Sequence, residues 1–202
     1  MPVLPLEPFV YPAQLFQTPR AESASDEQWW VLHTRPRAEK SLARRLLSAE
    51  CNYFLPLLTR PSRQGRKARR PDSHVPLFPS YVFLHGCREA RLSALSTNLV
   101  VQVLEVVDQD RLFNDLSNVH RLMTSEAPLT PEDHLLPGTL VEITHGAFTG
   151  LRGKVLRRGS SWHLFVEVNF LKCGVSVEIE QWMIKPLPEA ETTVDGGLCR
   201  SA

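Results

Sequence analysis

Between residues 60 and 70 the chain carries six cations in eleven positions, Arg60, Arg63, Arg66, Lys67, Arg69 and Arg70, without one acid. Pro61 and Gly65 interrupt the run, so it reads as a loop. Guanidinium groups at this density suit phosphate, where contacts are salt-sensitive and indifferent to sequence. A second basic group, Arg35, Arg37, Lys40, Arg44 and Arg45, follows the first strong apolar run. On a helical wheel Arg37, Lys40 and Arg44 project away from the apolar side. Lys plus Arg (23) nearly balances Asp plus Glu (22), a formal net charge of +1, so any attraction for a polyanion is local.

Bond-making chemistry has no comparable signal. His33, His74, His85, His120, His134, His145 and His163 are scattered, with no H-x-x-x-H spacing, phosphate-cradling glycine loop or serine elbow. Catalysis is not expected, nor is a cofactor. Cys51, Cys87, Cys173 and Cys199 lie far apart without a C-x-x-C pair, which argues against zinc and against a disulfide framework and fits a reducing cytosol. No apolar stretch approaches the length needed to span a bilayer, and the first residues lack a basic start before an apolar run, so neither membrane insertion nor secretion is expected. With 43% hydrophobic and 22% charged residues the chain matches ordinary globular protein, and 202 residues suffice for one large or two small domains.

The elements that would position these charges follow from periodicity. Residues 1–27 hold five prolines and no strand or helix period, and read as a disordered tail. Trp29 to Thr34 is a strand entering a helix past Pro36; Ala38, Leu42, Leu46 and Ala49 give that helix its apolar face. Tyr53 to Leu58 and Val75 to Leu84 read as strands, Glu89 to Ser96 as a short helix, Val100 to Val107 as a strand. A closing helix from about Asp110 carries Leu112, Leu116, Val119 and Met123. Strand, helix, strand, strand, helix, strand is the ferredoxin-like order. Residues 126–136, with two internal prolines, read as a linker, and 137–187 as five short strands of a small barrel. Residues 188–202 are expected to be a second disordered tail. The expected fold class is α+β, with domains at 28–125 and 137–187.

Two stretches carry a family resemblance. Pro137 to Val155, PGTLVEITHGAFTGLRGKV, resembles a KOW motif, and Pro76 to Phe83, PLFPSYVF, resembles the signature strand of a NusG amino-terminal domain. Together with the Trp29-Trp30 start and the domain order, the chain from about 28 to 187 resembles the NusG family of transcription elongation factors. Gly146, Gly150 and Gly153 fall where a small barrel must turn its strands, whatever the family. The arginine-rich loop and the form of PLFPSYVF look closer to specialised RfaH-like (UpxY-type) paralogues.

The resemblance implies a ferredoxin-like amino-terminal domain that docks on the clamp helices of bacterial RNA polymerase, and an SH3-like KOW barrel that recruits a partner. Phe78, Tyr81 and Phe83 match the docking positions. Tyr81 and Phe83 alternate onto one strand face and would form an aromatic anchor; His33, Tyr53 and Leu55 are weaker candidates. Arg35, Arg37 and Arg45 match positions that approach the non-template strand in RfaH-type members. Thr97 and Asn98 lie in the corresponding loop, and Arg63, Arg66, Lys67, Arg69 and Arg70 would reach non-template DNA or nascent RNA. Phe148, Phe170 and Leu171 match the barrel's contact loops for a ribosomal small-subunit protein or Rho. In RfaH the carboxy-terminal domain switches from helical hairpin to barrel; here Val141, Ile143, Val155, Val166, Val168, Val175, Val177 and Ile179 favour strand, so a stable barrel is expected. The implied protein is a cytoplasmic, non-enzymatic monomer that suppresses pausing and termination. The alternative is a ribosome-associated or general RNA-binding KOW protein, which would set cations beside aromatics on its middle strands; Tyr81-Val82-Phe83 has none adjacent.

Overall fold

A computed structural model describes residues 8–17, 26–60, 73–125, 127–132, 138–158, 160–180 and 183–187. The first unit contains β1 (Val10–Tyr11), β2 (Gln28–Thr34), α1 (Glu39–Ser48), β3 (Asn52–Phe54), β4 (Leu57–Arg60), β5 (Ser73–Pro76), β6 (Tyr81–Gly86), α2 (Arg88–Ser96), β7 (Val100–Glu105) and α3 (Gln109–Thr124). Five of these strands form an antiparallel sheet in the order β1-β3-β6-β2-β7.

Strand alternation divides the sheet's apolar residues between its faces. Trp30, Leu32, Tyr53, Leu55, Val82 and Leu84 pack with Leu42, Ala43 and Leu46 of α1 and Ala94 of α2. Trp29, Val31, Phe54, Phe78 and Phe83 pack with Leu112, Leu116, Val119 and Leu122 of α3. The Asp108 side chain caps α3, accepting the Arg111 amide at 2.9 Å. Gln109 ties that end to β2: its Oε1 accepts the Trp29 amide at 2.7 Å and its Nε2 donates to the Trp29 carbonyl at 3.0 Å, closing the backbone valences as a neighbouring strand would.

Three sequence expectations change here. Residues 8–17 belong to the fold: β1 pairs with β3, and Val10 is buried. A two-residue strand among prolines is too short to show a period. The expected strand 53–58 breaks at Leu55-Pro56 into β3 and β4, because Pro56 has no amide for the ladder; its carbonyl takes the Leu77 amide at 2.8 Å instead. The expected strand 75–84 likewise divides at Pro76 and Pro79, leaving β4 and β5 as a separate hairpin.

The second unit holds β8 (Leu129–Glu132), β9 (Thr139–Ile143), β10 (Arg152–Arg158), β11 (Ser161–Val168), β12 (Cys173–Ile179) and β13 (Ile184–Pro186), with a 3-10 turn at Asn169–Leu171. Its order is β13-β9-β10-β11-β12-β8, so the expected five-stranded barrel is corrected to six strands whose ladder, among the described residues, does not close. The extra strand comes from the expected linker, where Pro131 is tolerated because β8 lies at the sheet edge. Gly153 is not a turn residue but lies in β10, where a Cβ would stand 2.5 Å from the Phe165 carbonyl oxygen. Gly174 of β12 is tighter still, 2.2 Å from the Val166 carbonyl oxygen.

α3 joins the units, packing against β2 on one side and against β11 and the 3-10 turn on the other. Asp115 accepts the Asn169 amide at 2.9 Å, and Arg121 donates to the Thr149 carbonyl at 2.7 Å. Burial pushes the Asp115 carboxyl above its ordinary value despite the hydrogen bonds from Asn169.

Candidate nucleic-acid and protein-docking site

At the end of the sheet where β2 stops, backbone hydrogen bonds knit three connections together. The Thr34 amide donates to the Ser80 carbonyl at 2.8 Å, joining β2 to the turn before β6. The Arg35 amide donates to the Leu99 carbonyl at 3.0 Å, joining the β2–α1 connection to the α2–β7 connection. Each of these connections contains a non-glycine residue in the left-handed region: Arg37 (φ 62°), Ser80 (φ 67°) and Asn98 (φ 58°). Such residues cost about 1–3 kcal/mol each and persist where surrounding structure holds them.

The residue that holds Ser80 is Glu39. At the first turn of α1, where anions are favoured, the residue is 5% exposed and its Oε1 accepts the Ser80 amide at 2.7 Å. One buried side chain thereby sets the helix entry, and with it Arg35 and Arg37, against the turn that presents Tyr81. Nothing in the sequence marks out Glu39, because the periodicity places it only as one more polar residue near a helix start. Thr97 bridges the third connection, donating to the Ala94 carbonyl at 2.7 Å and accepting the Leu99 amide at 3.3 Å.

The structure thus brings together Arg35, Arg37, Thr97, Asn98, His33 and Tyr81. His33 lies opposite Tyr81 in the β2–β6 register, with ring centroids 5.3 Å apart, and both are half-buried. Arg35, Arg37 and Arg45 are exposed, and no acid pairs with them among the described residues. Arg37 precedes α1 instead of lying on its basic face; Arg45, six residues into the helix, stands roughly 9 Å further along the axis.

Other expectations separate from this cluster. Phe78 and Phe83 are 3% and 0% exposed, so the expected paired anchor of Tyr81 and Phe83 is corrected: α3 packs over that part of β6, and of the three aromatics only Tyr81 reaches the surface. Tyr53 and Leu55 are core beneath α1. Arg63, Arg66, Lys67, Arg69 and Arg70 lie outside the described residues, as does the side chain of Arg60, but the β4–β5 ladder, with Arg60 opposite Ser73, brings both ends of their segment together.

In the second unit Phe148, Phe170 and Leu171 are half-buried. Phe170 faces the protein's own α3, across a cavity of about 310 Å³ lined also by Val106, Arg111, Leu112 and Asp115. Two of that unit's exposed arginines are matched internally: Arg152 donates to Glu142 at 3.0 Å and Arg158 to Glu132 at 2.9 Å. Among the described residues no group of three or more His, Cys, Asp or Glu side chains stands close enough to hold a metal ion.

Comparison with known proteins adds a family. The family model described as "Transcription termination factor nusG" matches residues 27–132, just over half of the chain. Among solved structures, that described as "Domain interaction in Thermotoga maritima NusG" is 18% identical, with 82% of this chain and 99% of that one covered and a TM-score of 0.44. A chain of the MjSpt4:Spt5 complex is 14% identical, with 79% and 96% covered and a TM-score of 0.26. No curated protein sequence matches.

Proposed function

Because the chain belongs to the NusG family, we propose that it is a transcription elongation factor which docks on the clamp of RNA polymerase through Tyr81 and His33 and contacts exposed nucleic acid through Arg35, Arg37 and Arg45. The observation that carries this reading is the juxtaposition at the Thr34 end of the sheet: a half-exposed aromatic pair on one face of the sheet, and on the adjoining connection guanidinium groups unpaired among the described residues. An apolar contact fixes position on a protein helix, while phosphate contacts add affinity that is independent of base sequence. The basic segment between β4 and β5 is read in the same role toward DNA or RNA.

Such a factor performs no bond chemistry. It shifts polymerase toward the closed, elongating state by binding that state preferentially, which suppresses pausing and termination. We read the first unit as a ferredoxin-like domain and the second as a KOW-type module whose Phe148, Phe170 and Leu171 recruit a ribosomal protein or Rho. In the conformation described, Phe170 faces α3 and the adjoining Asn169 is bonded to Asp115, so we read recruitment through Phe170 as requiring the two units to part.

The test is co-purification with bacterial RNA polymerase core at high salt, for the wild type and a Tyr81→Ala variant shown by circular dichroism to be folded. Retention of the wild type and loss of the variant is the expected result. Failure to bind polymerase, with ribosomes or structured RNA recovered at low salt only, would replace this reading with the RNA-binding one.

A further inference from the structure

The hairpin that carries the basic segment belongs to neither large sheet. Among the described residues β4 and β5 pair only with each other, and the Leu77 amide, bonded to the Pro56 carbonyl at 2.8 Å, ties their base to the rest of the fold. Where the hairpin meets the end of α3 and the start of β8 lies a cavity of about 590 Å³. Cavities of about 300–1,000 Å³ are those that take up a ligand-sized group, and covering apolar walls is favourable. The lining here is apolar, with Phe9, Leu57, Leu58 and Met123 in it, except for Thr59 and His74, and those two are hydrogen-bonded to each other at 3.1 Å. Such walls suit an apolar occupant and not the arginine-rich residues 61–72.

The chain's own amino-terminal stretch leads to this space. Its anchor is an aromatic box: Phe16 is stacked over Trp29 with centroids 5.7 Å apart, edge-on to Phe54 at 5.0 Å, and beside His120 at 5.0 Å and Phe113 at 6.0 Å, at a cleft bordered also by Arg121. β1 then fixes the direction, pairing antiparallel so that Val10 meets Phe54 and Tyr11 meets Tyr53. The hold continues outward, with the Leu55 amide donating to the Phe9 carbonyl at 2.7 Å and the Tyr53 hydroxyl to the Pro8 carbonyl at 2.8 Å. Each step back along the amino-terminal stretch thus matches a step forward past β3. The residues forward of Leu55 are Pro56, Leu57 and Leu58, the last two in the cavity wall.

Residues 1–7 lie outside the described residues, and their sequence fits the space. In Met1-Pro2-Val3-Leu4-Pro5-Leu6-Glu7-Pro8-Phe9 proline recurs every third residue, and so do the apolar residues Val3, Leu6 and Phe9. Proline at that interval favours the polyproline II helix, with three residues per turn and a rise of about 3.1 Å, which sets those three side chains in one row about 9 Å apart. From Phe9 to Val3 such a row reaches about 19 Å, more than the roughly 13 Å length of the four-residue β4. Phe9 already lines the cavity. We propose that Leu6 and Val3 follow it in, so that residues 3–9 form a strap that fills the cavity and holds the hairpin against α3 and β8. By fixing the hairpin the strap pre-orders the base of the basic segment, a consequence that rests on the nucleic-acid reading above.

Two measurements on the full chain decide it. A photo-crosslinking benzoylphenylalanine in place of Leu6 is expected to label residues 57–59, His74, Met123 or residues 127–131 of the same molecule. Labelling confined to other residues overturns the proposal, as does a crosslinked dimer, which would show a second copy supplying the segment. Val3→Asp with Leu6→Asp is expected to remain folded by circular dichroism and to raise amide hydrogen exchange in β4 and β5 about tenfold, with α1 unchanged. Wild-type exchange throughout the folded variant overturns the strap, and the crosslink does not depend on whether that variant folds. The same variant is expected to bind single-stranded DNA about threefold more weakly at low salt. Unchanged DNA binding beside faster exchange removes the nucleic-acid reading of the basic segment and leaves the strap supported.

Discussion

In the second sheet two of the three exposed arginines are answered by an acid, and the third, Arg157, lies over the Trp162 ring. Arg152 meets Glu142, and Arg158 meets Glu132, which also accepts from the Ser176 hydroxyl at 2.6 Å. At the Thr34 end of the first sheet Arg35, Arg37 and Arg45 stand exposed with no such answer among the described residues. Counting arginines does not distinguish the two regions; pairing does. A matched cation has already spent much of its field on its partner, whereas an unmatched one is available to phosphate. The two regions also hold their shape differently. The first site depends on a side chain bonded to backbone, Glu39 to Ser80, and the second sheet on strands brought so close that only glycine fits.

Charge reversal tests the comparison most strongly. Arg35→Glu with Arg37→Glu is expected to weaken binding to single-stranded DNA about a hundredfold at low salt and to flatten the salt dependence by about 0.7 per lost phosphate contact. Fluorescence anisotropy at several salt concentrations reads both quantities. The same reversal at Arg152 and Arg158 should leave binding unchanged; equal losses in the two regions would dissolve the distinction.

Next in size is Gly174→Ala. Its added methyl would meet the Val166 carbonyl, and the overpacking is expected to cost about 1–3 kcal/mol in denaturant unfolding with nucleic-acid binding untouched. Glu39→Ala should cost about 1–3 kcal/mol, because the half-buried Ser80 amide loses its acceptor, and should weaken polymerase and DNA binding together. Glu39→Gln keeps an acceptor oxygen and should restore much of both.

Acidification separates the regions by degrees. Burial among Phe9, Phe16 and Phe54 holds His120 below its ordinary value of 6.5, with Arg121 lining the same cleft. The unfolded chain then binds the extra proton first, so this contribution to stability is full above 6.5 and is lost as pH falls below it. For Glu132 burial raises the carboxyl, but hydrogen bonds from Arg158 and Ser176 outweigh it and leave the group below 4.5. Its contribution is full above that value and is lost only in more acidic solution. Trp29 fluorescence, beside Phe16, is therefore expected to change at milder acidity than the β8 edge loosens, and His120→Gln should remove the earlier step. Smallest of all, Arg158→Ala should cost under about 1 kcal/mol, since the Arg158 side chain is exposed and Glu132 keeps the Ser176 hydroxyl as donor.

Much of this is legible in the chain itself. Alternation in Trp29 to Thr34 and the spacing of Leu42 and Leu46 determine which residues enter the core, because period 2 and period 3.6 leave few ways to bury the same side chains. The NusG family follows from two short stretches, and the resemblance they carry singles out Arg35, Arg37, Thr97 and Asn98, although some sixty residues of chain separate the two arginines from Thr97 and Asn98. What only the tertiary structure decided are the matters that depend on a distant neighbour. Whether an aromatic is anchor or core turns on α3, which buries Phe83 and leaves Tyr81 half-exposed. Whether a proline-rich stretch is tail or strand turns on an open edge at β3 and an aromatic box assembled from three other elements. Whether an arginine is free turns on a carboxylate that strand register, not sequence spacing, brings opposite it. Local periodicity is a property of one segment; exposure and pairing are properties of two that meet only when the chain has folded.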